Sequence, residues 1–306
     1  MPLDPPIAEF LATLPVGDPP PVTAASVARA RADFRTRTVD RRDDSVLVAM
    51  ESVTDTELAG VAVRVYRPAA GGPVPTVVFF HGGGWVIGDL DTHESSCRLL
   101  ARDTGAVVVS VDYRRAPEHP FPAAVEDALA VLRHVGGHRA DFGGGQLGVA
   151  GDSAGGNLAA VGAQALRADG IALAAQLLVY PSVDLAGTYP SRTENARGYL
   201  LTTAEMRWFM DAYLPAGASP RDPRVSPLLG ELAGLPPAVV VTAEFDPLRD
   251  EGNAYAAALA AAGVPVTSRE FPGLIHGFYG METVSPAAAD ATAWTHARFA
   301  DVLHRS

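Results

Sequence analysis

Gln146-Leu147-Gly148-Val149-Ala150-Gly151-Asp152-Ser153-Ala154-Gly155-Gly156 decides how the chain is read. A largely apolar run ends at Ala150, and a serine follows between two glycines. The G-x-S-x-G spacing fits a strand turning sharply into a helix, with the serine hydroxyl lifted out of the sheet at the turn. So tight a turn leaves no room for larger side chains beside the serine, which accounts for Gly151 and Gly155. Alone the motif is a weak signal, because a Gly-rich strand-to-helix turn can carry no chemistry. A second motif upstream strengthens it. Thr76-Val77-Val78-Phe79-Phe80 is another apolar run, and His81-Gly82-Gly83-Gly84-Trp85 follows it directly. Glycine-rich backbone of this kind supplies N–H groups to a developing oxyanion. The two motifs in this order point to acyl transfer by a serine nucleophile.

Outward from these motifs, strand and helix patterns alternate. Val46 to Val53 and Val61 to Tyr66 read as two strands joined through Asp55 to Gly60. Thr76 to Phe80 reads as a strand buried on both faces. Asp91 and Glu94 suggest a capping box for a helix running to about Asp103. Ala106 to Val111 is a strand, and Phe121, Val125, Leu129 and Leu132 mark one face of the next helix. Leu147 to Ala150 precedes the serine turn, and a helix over Asn157 to Ala168 follows it. Leu177 to Tyr180, Ala238 to Ala243 and Val264 to Phe271 give further strands, and Ala287 to Leu303 a last helix. This alternation predicts an α/β fold with a mostly parallel sheet and helices on both faces. Residues 1–45 read as one or two helices outside the sheet, and residues 185–225 break the alternation. An insertion after a strand's C-terminal end lies above the site of such a sheet. The predicted division is therefore 1–45 as the N-terminal part of a cap, 46–184 as the first part of the core, 185–225 as a cap insertion and 226–306 as the rest of the core.

Composition bounds the function. The chain has 306 residues, 48% of them hydrophobic and 19% charged, as in a globular protein with a sizeable core. A net charge of −11 disfavours nucleic acid and anionic membrane surfaces as partners. No apolar run is long enough to span a membrane, and the N-terminus shows no secretory signal pattern. The single cysteine, Cys97, permits no intrachain disulfide and agrees with a reducing, cytoplasmic compartment; it reads as a small buried hydrophobe on a helix. All 24 basic residues are arginine, so P-loop, Schiff-base and Ser-Lys chemistry have no lysine to use. No dinucleotide G-x-G-x-x-G follows a strand, and no tight His/Cys cluster suggests a metal.

A serine nucleophile needs a histidine base and an acid to orient it, in the chain order Ser, Asp or Glu, His. After Ser153 come His276, His296 and His304. His276 stands in a loop after the last strand, whereas His296 and His304 lie in the last helix, where solvated histidines are usual. The acid should follow the preceding strand. Asp246, just past Ala243 and before Pro247, is best placed, with Glu244 as runner-up. Asp250 and Glu251 fall in a helix's first turn, where carboxylates favour the dipole for structural reasons. The oxyanion donors should be the amides of Gly83, Gly84 and Ala154. Trp85 reads either as a wall of the acyl pocket or as loop packing. Trp208 and Phe209 read as lid core, as pocket wall, or as both.

His81 to Trp85, Asp112-Tyr113-Arg114-Arg115-Ala116-Pro117-Glu118 through Ala124, Gly151 to Gly156, Asp246-Pro247-Leu248-Arg249-Asp250 and His276-Gly277-Phe278 resemble the bacterial hormone-sensitive-lipase-like carboxylesterases, also called family IV. The resemblance runs from about residue 60 to the C-terminus. Arg115 departs from it, standing where the family usually has leucine. The resemblance implies an α/β-hydrolase core with a helical cap, and hydrolysis of short- to medium-chain esters through an acyl-enzyme. It also implies no cofactor, and leaves room for a homodimer. An amidase or long-chain lipase would use the same triad. A non-enzymatic binder of small molecules would not need Ser153, Asp246 and His276 together.

Overall fold

Side chains that alternate along the central strands build the core on both faces of one sheet. The computed structural model describes residues 2–14 and 17–305. Its strands are β1 (Ser52–Leu58), β2 (Val61–Arg67), β3 (Val74–Phe80), β4 (Val107–Val111), β5 (Gly144–Asp152), β6 (Ala175–Val179), β7 (Ala238–Phe245) and β8 (Val266–Ile275). The helices are α1 (Pro5–Ala12), α2 (Ala24–Arg35), α3 (Glu94–Thr104), α4 (Ala123–Gly137), α5 (Ala154–Ala168), α6 (Ser191–Glu194), α7 (Thr203–Tyr213), α8 (Arg249–Ala261) and α9 (Pro286–Leu303). Val78, Phe80, Val149, Leu178 and Val240 enter one buried cluster with side chains of α4, α5 and α8. Their neighbours Val77, Phe79, Ala150, Leu177, Val179, Val239 and Val241 enter the other, with α3 and α9. The period of two along each strand thus supplies both cores. Cys97 lies in the second of them, and burial pushes its thiol up to about 12.

The strand order is β1-β2-β4-β3-β5-β6-β7-β8. β2 pairs antiparallel with β1 and β4, and every later pairing is parallel. The chain steps from β3 to β4 in one direction and then returns to place β5 against the other side of β3. That reversal opens a crevice at the C-terminal ends of β3 and β5, where ligands bind in open α/β sheets. Register does the fine placement. Phe80 pairs with Gly151, so the segments that follow them leave the sheet side by side. Phe245 pairs with Ile275, so Asp246 and His276 also leave the sheet as neighbours.

Two readings of the sequence are corrected. The first strand is Ser52–Leu58 and not Val46 to Val53. Ala59 and Gly60 both take positive φ, +50° and +84°, and make the two-residue turn that sets β1 against β2. Val46 is left 55% exposed. The capping box at Asp91 and Glu94 does not form. Asp91 bonds Arg35 and Arg64 at 3.0 Å each, and Glu94 bonds Arg64 and Arg98. Two arginines outcompete a helix terminus for that carboxylate.

The N-terminal helices and the 185–225 segment both reach the loop after β3. Arg31 of α2 donates to the carbonyls of Val86 and Ala116 and pairs with Glu118. Tyr213 of α7 stacks on Trp85 with ring centroids 4.3 Å apart. No helix among the described residues is long and apolar enough to cross a membrane.

Candidate active site

Ser153 sits at the top of β5 with φ +55° and ψ −117°, a conformation that a non-glycine residue adopts only under constraint. The constraint is close packing. A Cβ at Gly155 would collide with the carbonyl of Phe80, and one at Gly151 with the carbonyl of Gly155. The backbone of α5 therefore passes directly against the end of β3. Ser153 is half-buried, and α5 begins at the next residue.

The structure brings the three residues singled out by chain order into one hydrogen-bonded line. His276 Nε2 lies 3.0 Å from Ser153 Oγ, and His276 Nδ1 lies 2.8 Å from Asp246 Oδ2. Asp246 is fully buried, and its other carboxylate oxygen accepts the amide of Leu248 at 2.8 Å. A carboxylate accepts only, so Nδ1 carries the proton and Nε2 faces the serine bare. The rival acids are engaged elsewhere. Glu244 accepts the amide of Gly273, and Asp250 accepts the amide of Ser191 and pairs with Arg249. Glu251 accepts the amides of Val183 and Asp184 and pairs with Arg192. Burial raises Glu251 to about 6, against the pull of Arg192.

The glycine loop closes the other side. Gly83 and Gly84 take φ +116° and +58°, and Trp85 takes +61°. Among the described residues, the amides of Gly83, Gly84 and Ala154 have no hydrogen-bond acceptor. The loop is locked to the serine turn by Asp152, whose Oδ1 accepts the amide of Gly82 at 2.8 Å. His93 Nε2 stands 3.5 Å from the same oxygen. His81 is fully buried, stacks on Tyr113 at 4.3 Å and lies 5.4 Å from His93. Burial, then the neighbouring His93, hold it well below the usual histidine range.

The three aromatics read as pocket candidates sit differently. Trp85 and Trp208 are buried, and Phe209 is half-buried. Phe209 meets Trp208 edge-on and lies over Gly84 so closely that a Cβ there would strike its ring. Among the described residues no group of three or more His, Cys, Asp or Glu could hold a metal ion.

Two further residues that shape the site were not marked in the sequence, and one histidine was misread. Asn195, from the 185–225 segment, donates to the carbonyls of Glu244 and Asp246 at 3.1 Å each and so fixes the loop that carries Asp246. It stands in a stretch with no periodic pattern, so nothing marked it. Tyr180, φ +34°, sets its ring 4.5 Å from that of His276. His296 is not solvated: it is fully buried. The spacing Thr292, Thr295, His296, Phe299, Leu303 marks the buried face of α9 and could have shown it.

Comparison with known proteins places these features. The Abhydrolase_3 family model, an alpha/beta hydrolase fold, matches residues 77–280. The carboxylesterase NlhH of Mycobacterium tuberculosis is 42% identical over 314 residues, covering 99% of this chain and 97% of that protein. The carboxylic ester hydrolase LipN of the same organism is 47% identical over 254 residues, 78% of this chain and 68% of that protein. Among solved structures, an esterase of Pyrobaculum calidifontis superposes with a TM-score of 0.91 at 39% identity, covering 98% of this chain and 99% of that one.

Proposed function

The chain belongs to the hormone-sensitive-lipase-like, family IV branch of the α/β hydrolases, and from that premise we propose that it is a serine carboxylesterase acting on short- to medium-chain esters. One observation carries the proposal: the line Asp246–His276–Ser153, at 2.8 and 3.0 Å, ends beside three backbone amides that lack acceptors. In this reading Ser153 Oγ attacks the ester carbonyl carbon while His276 Nε2 takes its proton. The carbonyl oxygen becomes an oxyanion held by the amides of Gly83, Gly84 and Ala154, with the N-terminus of α5 behind Ala154. The C–O bond breaks, His276 returns its proton to the alcohol, and the acyl group stays on Ser153. Water repeats the sequence and releases the carboxylic acid. Asp246 holds the imidazole in the active tautomer and stabilises its charged form.

The proposal extends to the cap, formed by residues 1–45 and 185–225 over the core segments 46–184 and 226–306. What supports it is the seating of Arg31, Phe209 and Tyr213 on the loop after β3. It includes a cytoplasmic location, in keeping with the one buried cysteine. It also includes a homodimer through the free edge of β8, checked by light scattering.

Ser153→Ala tests the central assignment. It should lower kcat on nitrophenyl esters on the order of 10⁴-fold or more with an unchanged circular dichroism spectrum. Near wild-type turnover in the folded variant would refute it. A series of acyl lengths run beside an anilide separates an esterase from a long-chain lipase or an amidase.

A further inference from the structure

A second Asp–His–hydroxyl chain, with its histidine and phenol buried and its aspartate half-buried, lies behind the first. His296 Nδ1 is 2.7 Å from Asp103 Oδ2, and His296 Nε2 is 2.8 Å from the hydroxyl of Tyr279. His296 is fully buried and Tyr279 is 4% exposed. Asp103 can only accept, so Nδ1 carries the proton and the bare Nε2 accepts from the phenol. Burial raises the phenol far above its ordinary range, so Tyr279 stays a donor.

The chain connects three elements. Asp103 lies in α3, the helix that follows the glycine loop; His296 lies in α9; Tyr279 stands three residues past His276. Tyr279 also reaches the histidine by a second route. Its backbone carbonyl accepts the hydroxyl of Tyr180 at 3.2 Å, and the Tyr180 ring lies against the His276 ring. The loop after β8 is also held by Phe278, fully buried edge-on against Tyr180 and Phe271, and by Glu282, which accepts from Thr292 of α9. It takes positive φ at Gly277 and Gly280, so its backbone is permissive just past His276. Tyr279 adds to that packing a directional tie close to His276, of the kind that keeps an imidazole on its serine.

We infer that Tyr279, His296 and Asp103 are positioning residues for His276, a strut that references the base's loop to the α3–α9 pair. None of them touches substrate, and no proton need pass along the strut during turnover. The inference rests on the reading of His276 as the base. Displacing a reacting group by about 1 Å can cost about 10²-fold in rate, so a strut can matter without chemistry of its own.

The test uses the full chain and p-nitrophenyl butyrate. Tyr279→Phe keeps the ring and removes only the hydroxyl. It should lower kcat about tenfold with KM within about twofold, measured well below its Tm. His296→Leu should lower kcat further, and His296→Gln, whose side-chain oxygen can still accept from Tyr279, should recover most of it. A strut that only stabilises the fold would lower Tm in all three and leave kcat per phosphonate-titrated site unchanged, and that result overturns the inference. If His296→Leu does not fold, Tyr279→Phe decides alone. His276→Ala separates the two layers. An inactive His276→Ala beside a fully active Tyr279→Phe sinks the strut and spares the triad, whereas an active His276→Ala sinks both.

Discussion

Replacing Asp246 with Asn tests the acid through hydrogen-bond arithmetic. The buried carboxylate accepts from two donors, His276 Nδ1 at 2.8 Å and the amide of Leu248 at 2.8 Å. An Asn amide has one oxygen for the two of them. If the oxygen keeps the histidine, the NH₂ faces the Leu248 N–H, two donors head-on in a dry site, at a cost of about 1–3 kcal/mol. If it keeps Leu248, the NH₂ faces Nδ1, which must then be bare, and the histidine proton moves to Nε2. That tautomer points a donor at Ser153 and cannot act as base. The second arrangement wins by the same 1–3 kcal/mol, so the active tautomer becomes about 5- to 150-fold rarer. Loss of the charge facing the imidazolium removes roughly another 1.5–3 kcal/mol. Together these give a fall of roughly 10²–10⁴ in kcat. Since either arrangement leaves the side chain's shape unchanged, Tm should move by only a few degrees. The assay is steady-state hydrolysis of p-nitrophenyl butyrate, normalised by phosphonate titration, beside a melting curve. A folded Asp246→Asn variant that keeps more than about a tenth of kcat would refute the reasoning.

Three further outcomes are expected. His81 is held neutral in the fold, while in the unfolded chain it titrates near about 6.5, so its contribution is present above that pH and lost as pH falls below it, by up to about 1.4 kcal/mol per pH unit. Glu251, raised to about 6, acts oppositely between the unfolded carboxylate value and that pH, so the readout is the difference in urea midpoint, pH 7 against pH 5.5, between wild type and His81→Asn; equal slopes would count against a buried neutral His81. Gly155→Ala should cost more than about 3 kcal/mol or prevent folding, because its Cβ has no place beside the Phe80 carbonyl, whereas Gly137→Ala, with open space at the end of α4, should be neutral or stabilising by up to about 1 kcal/mol; chemical denaturation of both variants checks the contrast. Phe209→Ala removes a half-buried ring and should cost about 1–2.5 kcal/mol while shifting kcat/KM toward longer acyl chains; an unchanged acyl profile with unchanged kcat in the folded variant would make Phe209 lid core alone.

The sheet and the proposed reacting residues were legible because both are written in local patterns. Buried parallel strands must be apolar on both faces, so Thr76 to Phe80 could be read directly. The glycines at 151 and 155 report a backbone approach that nothing larger survives. Asp246 and His276 were proposed from chain order, and the pairing of Phe245 with Ile275 sets them side by side: each is the first residue past the same rung. What stayed hidden depends on partners far away in sequence. Asp91 looks like a cap until Arg35 and Arg64 arrive from α2 and β2. His296 looks like a surface residue until Asp103 and Tyr279 enclose it. The start of β1 was misplaced because edge strands carry little apolar alternation, and the turn at Ala59-Gly60 sets the register instead.

The proposed cap and the glycine loop proposed to hold the oxyanion share contacts, so in this reading covering the site and building it are not separate jobs. Phe209 rests on Gly84, Tyr213 stacks on Trp85, and Arg31 holds the carbonyl of Val86. Gly84 and Trp85 are also where the backbone takes positive φ. For Trp85 that conformation is costly, of order 1–3 kcal/mol, and it persists only while its surroundings over-determine it. The flat stack on Tyr213, with the rings 5° apart, is one such restraint, and the Asp152 bond to Gly82 is another. Loosening the proposed cap should therefore act on the proposed donors as well as on the pocket mouth. A Phe209→Ala variant that gains long-chain turnover through a wider mouth should lose little kcat on the shortest ester. If kcat falls equally on every ester, the ring's main work is to hold Gly84 in place. The acyl series thus separates the lid's two effects within a single set of measurements.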